Sequence, residues 1–189
     1  TFNKSFYESN DVIASISKVT HDIVNNVAPT VENHYLPHAV DTSVFKPFSD
    51  LEIASLKSQM FGKGDQKVTF FWNNRNARRK QSGSLMHWFN EFAEKVGPQN
   101  VRLIMHTNPK DTNGQALEAI INNLNADDGR FLISRDKVAP DKLAMFYNVS
   151  DCTVNIADAE GFGLSTLESL ACGTPIIVNM TGGLQEQVT

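Results

Sequence analysis

Two short stretches carry residue types and spacings that could do chemistry. In "NNRNARRKQSG" (73–83), Arg75, Arg78, Arg79 and Lys80 crowd into one turn. A guanidinium offers paired N–H donors and an ammonium a compact charge, so such a cluster can clamp a phosphate or diphosphate; a plain solvated basic turn is the alternative. In "AEGFGLSTLESLACGTP" (159–175), Glu160 and Glu168 are separated by Gly161, Phe162, Gly163, Leu164, Ser165, Thr166 and Leu167. On one continuous helix, eight steps would set the two carboxylates roughly 80° apart, off a common face. Ser165 followed by Glu168 has the spacing of a capping box, which predicts a helix starting at Ser165 and leaves Glu160 in the loop before it. Gly161 and Gly163 permit close backbone approach, and the free N–H groups of a helix start face an anion. The alternatives are capping alone for Glu168 and a surface loop acid for Glu160.

Both stretches follow apolar segments that read as strands, and the whole chain alternates. "DVIASIS" (11–17), "HYLPHAV" (34–40), "KVTFFW" (67–72), "VRLIMHT" (101–107), "RFLIS" (130–134), "CTVNIA" (152–157) and "TPIIVN" (174–179) read as strands. "KVTHDIVNNVA" (18–28), "DLEIASLKSQM" (50–60), "SLMHWFNEFAEKV" (84–96), "GQALEAIINNLN" (114–125), "PDKLAMFYNV" (140–149) and "STLESLAC" (165–172) read as helices, with Gly97 and Pro98 as a stop signal. Short apolar strands joined by helices predict an α/β fold: a Rossmann-like parallel sheet covered on both faces. Such sheets bind ligands beyond the carboxyl ends of their strands, where both stretches fall. "DTSVFKPFSD" (41–50), rich in turn formers, reads as a linker.

Composition narrows the function classes. With 189 residues, 41% hydrophobic and 20% charged, the chain suits one full core, and a net charge of −4 argues against a dedicated nucleic-acid surface. Two cysteines, Cys152 and Cys172, are too few for a disulfide framework and fit a reducing compartment. "TFNKSFYESN" has neither the basic nor the apolar region of a secretory leader, and no apolar run reaches the ~18 to 20 residues of a membrane span.

"EGFGLSTLESLACGTPIIV" resembles the E-x7-E signature of family 4 retaining glycosyltransferases. Arg75 and Lys80, in R-x4-K spacing, are similar to that family's donor-phosphate motif, and "YLPHAVDTSVFKP" (35–47) resembles its interdomain segment. Asn74, Gln81 and Ala39 stand where the family commonly has glycine. The resemblance implies the donor-binding half of a B-type fold, in which two Rossmann-like domains face a cleft. Residues 1–46 would be a remnant of the acceptor domain with the interdomain linker. Residues 47–189 would be the nucleotide-sugar donor-binding domain, incomplete at its carboxyl end. The chain is thus expected to be truncated at both ends, to self-associate through uncovered sheet edges, and to be cytoplasmic, the full-length enzyme being peripheral to a membrane.

The activity implied is transfer of a hexosyl group from a nucleotide-diphosphate sugar to an acceptor (sugar, lipid or protein glycan), with retention of anomeric configuration. Arg75 and Lys80 would meet the diphosphate, with backbone N–H groups at Gly163 and Leu164 and the Thr166 hydroxyl. Glu160 would orient the donor-sugar hydroxyls. Glu168 would accept from ribose hydroxyls, and Gly161 and Phe162 would also belong to the donor-binding set. The base would lie near Lys137 and Val138, by position alone. No cofactor besides the donor substrate is implied, and no metal: "DAE" (158–160) could be taken for a D-x-D metal motif, but the protein's own cations serve the diphosphate. The histidines show no ligand spacing, though His38 lies where it could touch the cleft. The fragment alone is expected to be inactive, and a catalytically incomplete nucleotide-sugar binding module is the alternative. A dinucleotide oxidoreductase would need a G-x-G-x-x-G turn, which neither "GKG" nor "GFG" supplies.

Overall fold

The computed structural model describes residues 2–188. Its elements run α1 (Phe2–Glu8), β1 (Val12–Ser15), α2 (Lys18–Val27), β2 (Glu32–Tyr35), α3 (Asp50–Phe61), β3 (Val68–Asn73), α4 (Ser82–Val96), β4 (Val101–His106), α5 (Leu117–Asn123), β5 (Phe131–Ser134), α6 (Pro140–Val149), β6 (Cys152–Asn155), α7 (Leu164–Ala171) and β7 (Ile176–Val178). Short 3-10 turns occupy Arg78–Lys80 and Gly182–Gln187. β1 and β2 pair in a parallel two-stranded sheet, and the other strands form a parallel sheet in the order β5-β4-β3-β6-β7. The α/β class read from the alternation is the one observed.

Strand alternation divides the core between the two faces of the larger sheet. Phe70 and Trp72 of β3 pack with Leu85, Met86 and Phe89 of α4 and Leu117 of α5. Phe71, pointing the other way, packs with Ala144 and Tyr147 of α6 and Cys172 after α7. β4 is buried from Val101 through Met105, the near-continuous apolar run expected of a central parallel strand. The strand order reverses between β3 and β6: the chain winds outward from β3 to β5, then returns to the other side of β3. Loops leaving these two strands diverge, opening a crevice at their carboxyl ends.

Several local expectations differ from what forms. α7 begins at Leu164, one residue before the expected Ser165, and no capping box forms. The N-cap is Gly163 at φ +95°, so Ser165 sits inside the first turn, where its hydroxyl is past the capping position, and Glu168 turns instead to Tyr147. α5 is shorter than 114–125 because Gln115 is taken up by contacts to Asn76 and Asn125 turns left-handed at φ +50°. The second strand lies at 32–35 rather than 34–40, in register with β1 and ahead of Pro37, which has no N–H to give a ladder. α1 was not foreseen in the sequence; its Phe2 and Phe6 are exposed.

The segment 41–50 is pinned to α6. Asn148 Oδ1 accepts from Phe48 N at 2.8 Å, Asn148 Nδ2 donates to Lys46 O at 3.0 Å, and Phe45 is buried against Tyr147. Ser49 and Glu52 then form a true capping box at the start of α3.

Candidate functional site

β3 ends at Asn73, and the chain turns through Asn74–Gln81 before entering α4. This turn is built on the fully buried Asn76. Its Nδ2 donates to Gln115 O at 2.7 Å, and its Oδ1 accepts from Ser82 Oγ at 2.7 Å and Gln115 N at 3.2 Å. The β4–α5 loop thereby braces the cationic turn. Gln81 adopts the left-handed region at φ +56°, which glycine would enter without strain, and its Nε2 reaches Asp158 Oδ2 at 2.5 Å.

β6 delivers the acidic bend alongside. Asp158 N donates to Arg79 O at 2.8 Å, so the two loops are joined by backbone as well as side chains. Lys80, only 5% exposed, places Nζ against Glu160 Oε2. Arg79 Nη1 donates to the same oxygen at 2.9 Å and to Ala159 O at 2.6 Å. Burial pushes the Lys80 ammonium below the ordinary lysine value, and the Glu160 charge opposes that shift. The sequence puts both stretches at the carboxyl ends of strands, where they are expected to converge; the strand order sets β3 beside β6 and brings them into direct contact.

Arg75 leaves the same turn in another direction. Its Nε donates to Asp111 Oδ2 at 2.7 Å and its Nη2 to Oδ1 at 3.3 Å, with the side chain 65% exposed. Arg75 beside Asp111, with the Asn113 N–H, holds that carboxyl well below the usual carboxylate range. Asp111 was not foreseen as part of this region.

A pocket of about 280 Å³ opens between the loops, lined by Ile16, His38, Asn73, Asn74, Glu160, Phe162, Gly163, Leu164 and Ser165. His38 meets the Phe162 ring edge-on at 5.3 Å between centroids. Larger cavities lie elsewhere: one of about 440 Å³ sits by Lys57, Asp65 and Asp151 at the opposite, amino-terminal ends of β3 and β6. The crevice at the strand carboxyl ends takes in the end of β3 and the glycine bend, whereas Arg75 and Lys80 do not line it and Lys80 reaches it only through Glu160.

The remaining expected residues divide. Glu160, Phe162, Gly163 and Leu164 line the pocket; Gly161 does not, and a Cβ added there would lie 3.5 Å from Ile16 Cδ1. Glu168 lies one helical turn beyond Leu164 and Ser165, half-buried, and accepts from Tyr147 Oη at 2.6 Å. Thr166 is fully buried; its Oγ1 lies 2.6 Å from Gly163 O and 2.5 Å from Gln187 Oε1, so its single proton is satisfied inside the protein. Lys137 and Val138 sit on the loop after β5, at the sheet edge, and do not line the pocket. Among the described residues, no group of three or more His, Cys, Asp or Glu side chains converges as metal ligands would.

The turn after β7 also shapes the bend, a contribution with no motif to announce it. Gly182, at φ +49°, lies so close to Glu160 that an added Cβ would fall 1.9 Å from Glu160 O. Gly183 N donates to Glu160 O at 3.0 Å, and Gln187 Nε2 to Phe162 O at 2.8 Å.

Fold and site together define a Rossmann-like α/β protein whose cations, glycine bend and helix start meet at a topological switch point. The chain belongs to the glycosyl transferases group 1 family, whose model matches residues 57–189. It is 35% identical over 79 residues to a D-inositol 3-phosphate glycosyltransferase of Acidothermus cellulolyticus, covering 42% of this chain and 17% of that protein. It is 23% identical over 178 residues to an alpha-monoglucosyldiacylglycerol synthase of Streptococcus pneumoniae, covering 93% and 39%. The chain spans less than half the length of the curated relatives it matches. In fold it is similar to a sucrose-phosphate synthase of Thermosynechococcus elongatus, with a TM-score of 0.82, 22% identity, and coverage of 99% of this chain and 45% of that one.

Proposed function

We propose that this chain carries the nucleotide-sugar site of a retaining hexosyltransferase, with residues 47–189 as the donor-binding unit and residues 1–46 belonging to the acceptor side and linker. The observation that carries the reading is the meeting of Lys80 with Glu160 across the switch-point crevice, flanked by the N–H groups at the start of α7. When the anomeric bond breaks, negative charge grows on the departing diphosphate while the sugar becomes oxocarbenium-like. Lys80 and Arg75 stabilise the first change, together with the Gly163 and Leu164 amides. A donor bound here draws Lys80 and Arg79 from Glu160 toward phosphate, freeing that carboxylate to hold the sugar hydroxyls. Retention follows from acceptor attack on the face the diphosphate leaves. The acceptor is a sugar, lipid or protein glycan, and a second copy pairs through the edge strands β5 and β7. Metal plays no part in this scheme.

The test is heat denaturation with uridine, guanosine and adenosine diphosphate sugars, with and without a chelator. One donor class should raise the midpoint by mass action, equally in chelator, and Lys80→Ala should abolish the rise. A midpoint unmoved by all three donors rejects the reading. Binding without release of free nucleotide in the presence of acceptor sugars would identify a binding module rather than a transferase.

A further inference from the structure

We propose that Tyr147 is a positioning residue for nucleotide recognition: it fixes one oxygen of Glu168 from below the crevice, so that the other is presented to the ribose hydroxyls of a bound nucleoside diphosphate. The inference rests on the nucleotide-sugar reading of the crevice.

Tyr147, on α6, is fully buried. Its ring is clamped edge-on by Phe71 at 5.0 Å and by Phe45 at 6.2 Å between centroids, so the core sets the position of its hydroxyl. That hydroxyl accepts from Asn73 Nδ2 at 2.9 Å and lies 2.6 Å from Glu168 Oε2. An amide nitrogen only donates and a phenol has one proton, so the Tyr147 proton goes to Glu168. Burial and the nearby Glu168 charge push the Tyr147 hydroxyl well above its ordinary value, which keeps the proton in place. The Cys172 thiol, just past the end of α7, is pushed up to about 11 and stays neutral beside the pair.

Glu168 is thereby held in one orientation. Turning its carboxylate away would strand the Tyr147 hydroxyl without an acceptor in the core, a costly state. Among the described residues no donor reaches Glu168 Oε1, and that atom is not among the buried polar atoms lacking a partner, so it keeps some contact with solvent, although Glu168 itself does not line the pocket. Leu164 and Ser165 line the pocket, and Glu168 follows them on the same helical face one turn deeper. Asn73, at the other end of the chain of hydrogen bonds, lines the pocket too. The relay from Asn73 through Tyr147 to Glu168 therefore joins the ends of β3 and α7 beneath the crevice.

The experiment is calorimetric titration of the full chain with UDP, GDP and ADP, followed by the 2′-deoxy and 3′-deoxy forms of whichever binds. Wild type should prefer the ribonucleotide by about tenfold over a deoxy form, the worth of a hydrogen bond to a charged group. Tyr147→Phe, which keeps the ring, should lose most of that preference while binding the deoxy form within about twofold of wild type. Glu168→Gln should lose it as well, and the double variant should lose no more than either. Thermal melts check folding; if Tyr147→Phe unfolds, Asn73→Ala carries the same test, with part of the preference lost. A purely structural tyrosine would weaken both nucleotides equally, and that result overturns the inference. Wild-type binding with an undiminished preference in Tyr147→Phe overturns it alone, whereas a wild type that binds none of the three sinks the nucleotide reading and the inference with it.

Discussion

Lys80 carries its charge into a site where little water reaches it, which is tolerable because Glu160 lies against its ammonium. Arg75, by contrast, holds Asp111 at the protein surface, where salt screens the pair. The two cations should therefore differ in their substitutions. On the proposed transferase reading, Lys80→Ala in the full-length enzyme should cost two to three decades of transfer rate, the ~2.7 to 4 kcal/mol typical of a lost preorganised donor. Arg75→Ala should cost less, and its effect on nucleotide affinity should shrink as salt is raised in a titration series. Glu168 makes a separate prediction. Burial raises its pKa above the ordinary 4.5, with the Tyr147 proton opposing, so the folded state holds this proton more tightly than the unfolded chain does. Its contribution to stability is full below the ordinary value and is lost as pH rises through the raised one. Glu168→Gln, whose amide oxygen still accepts from Tyr147, should melt higher than wild type near about pH 7.5, and the gap should close as the pH falls toward the carboxylate range.

At the scale of elements, the acidic bend is held by backbone shapes that side chains would spoil. Gly163 caps α7 in the left-handed region, and a Cβ there would lie 2.5 Å from Leu184 Cδ2 and 2.8 Å from Thr166 Oγ1. Gly163→Ala should lower stability by at least the ~1 to 2 kcal/mol of left-handed strain, read as a lower midpoint in urea with unchanged slope. Elements with strong internal patterns were legible: α4, with its apolar face and Gly97 stop, and the buried run of β4 lie within two residues of where the sequence puts them. The start of α7 was misread because Ser165 and Glu168 satisfy the local capping pattern. Gly163, Tyr147 and Gln187 supply better partners from outside that pattern. Local chemistry proposed one hydrogen-bonding scheme, and tertiary neighbours offered another.

For the molecule as a whole, the small β1–β2 sheet is tied to the larger one through the turn after β7. Glu186 accepts from Tyr35 Oη at 2.5 Å through one carboxylate oxygen and from the Lys18 backbone N–H through the other. Ile16 and His38 line the crevice from this smaller unit, so its seating affects the pocket directly. Glu186→Ala should speed amide exchange in β1, α2 and β2 while leaving β3 and β4 protected; uniform exchange across both sheets would show that the tie is not local. No helix of the described residues is long and apolar enough to cross a membrane.

The sequence by itself determined the α/β class, the order of elements and the two stretches that carry charge and glycine, because periodicity, turn residues and motif spacing are written locally along the chain. Which of those residues meet was decided only by the tertiary structure. The pairing of β3 with β6 pressed Lys80 onto Glu160, the pairing of β3 with β4 set Arg75 beside Asp111, the turn after β7 buried the Thr166 hydroxyl, and the packing of α6 on α7 put Tyr147 under Glu168. Contacts between residues tens of positions apart depend on which strands lie side by side, and no local spacing encodes that.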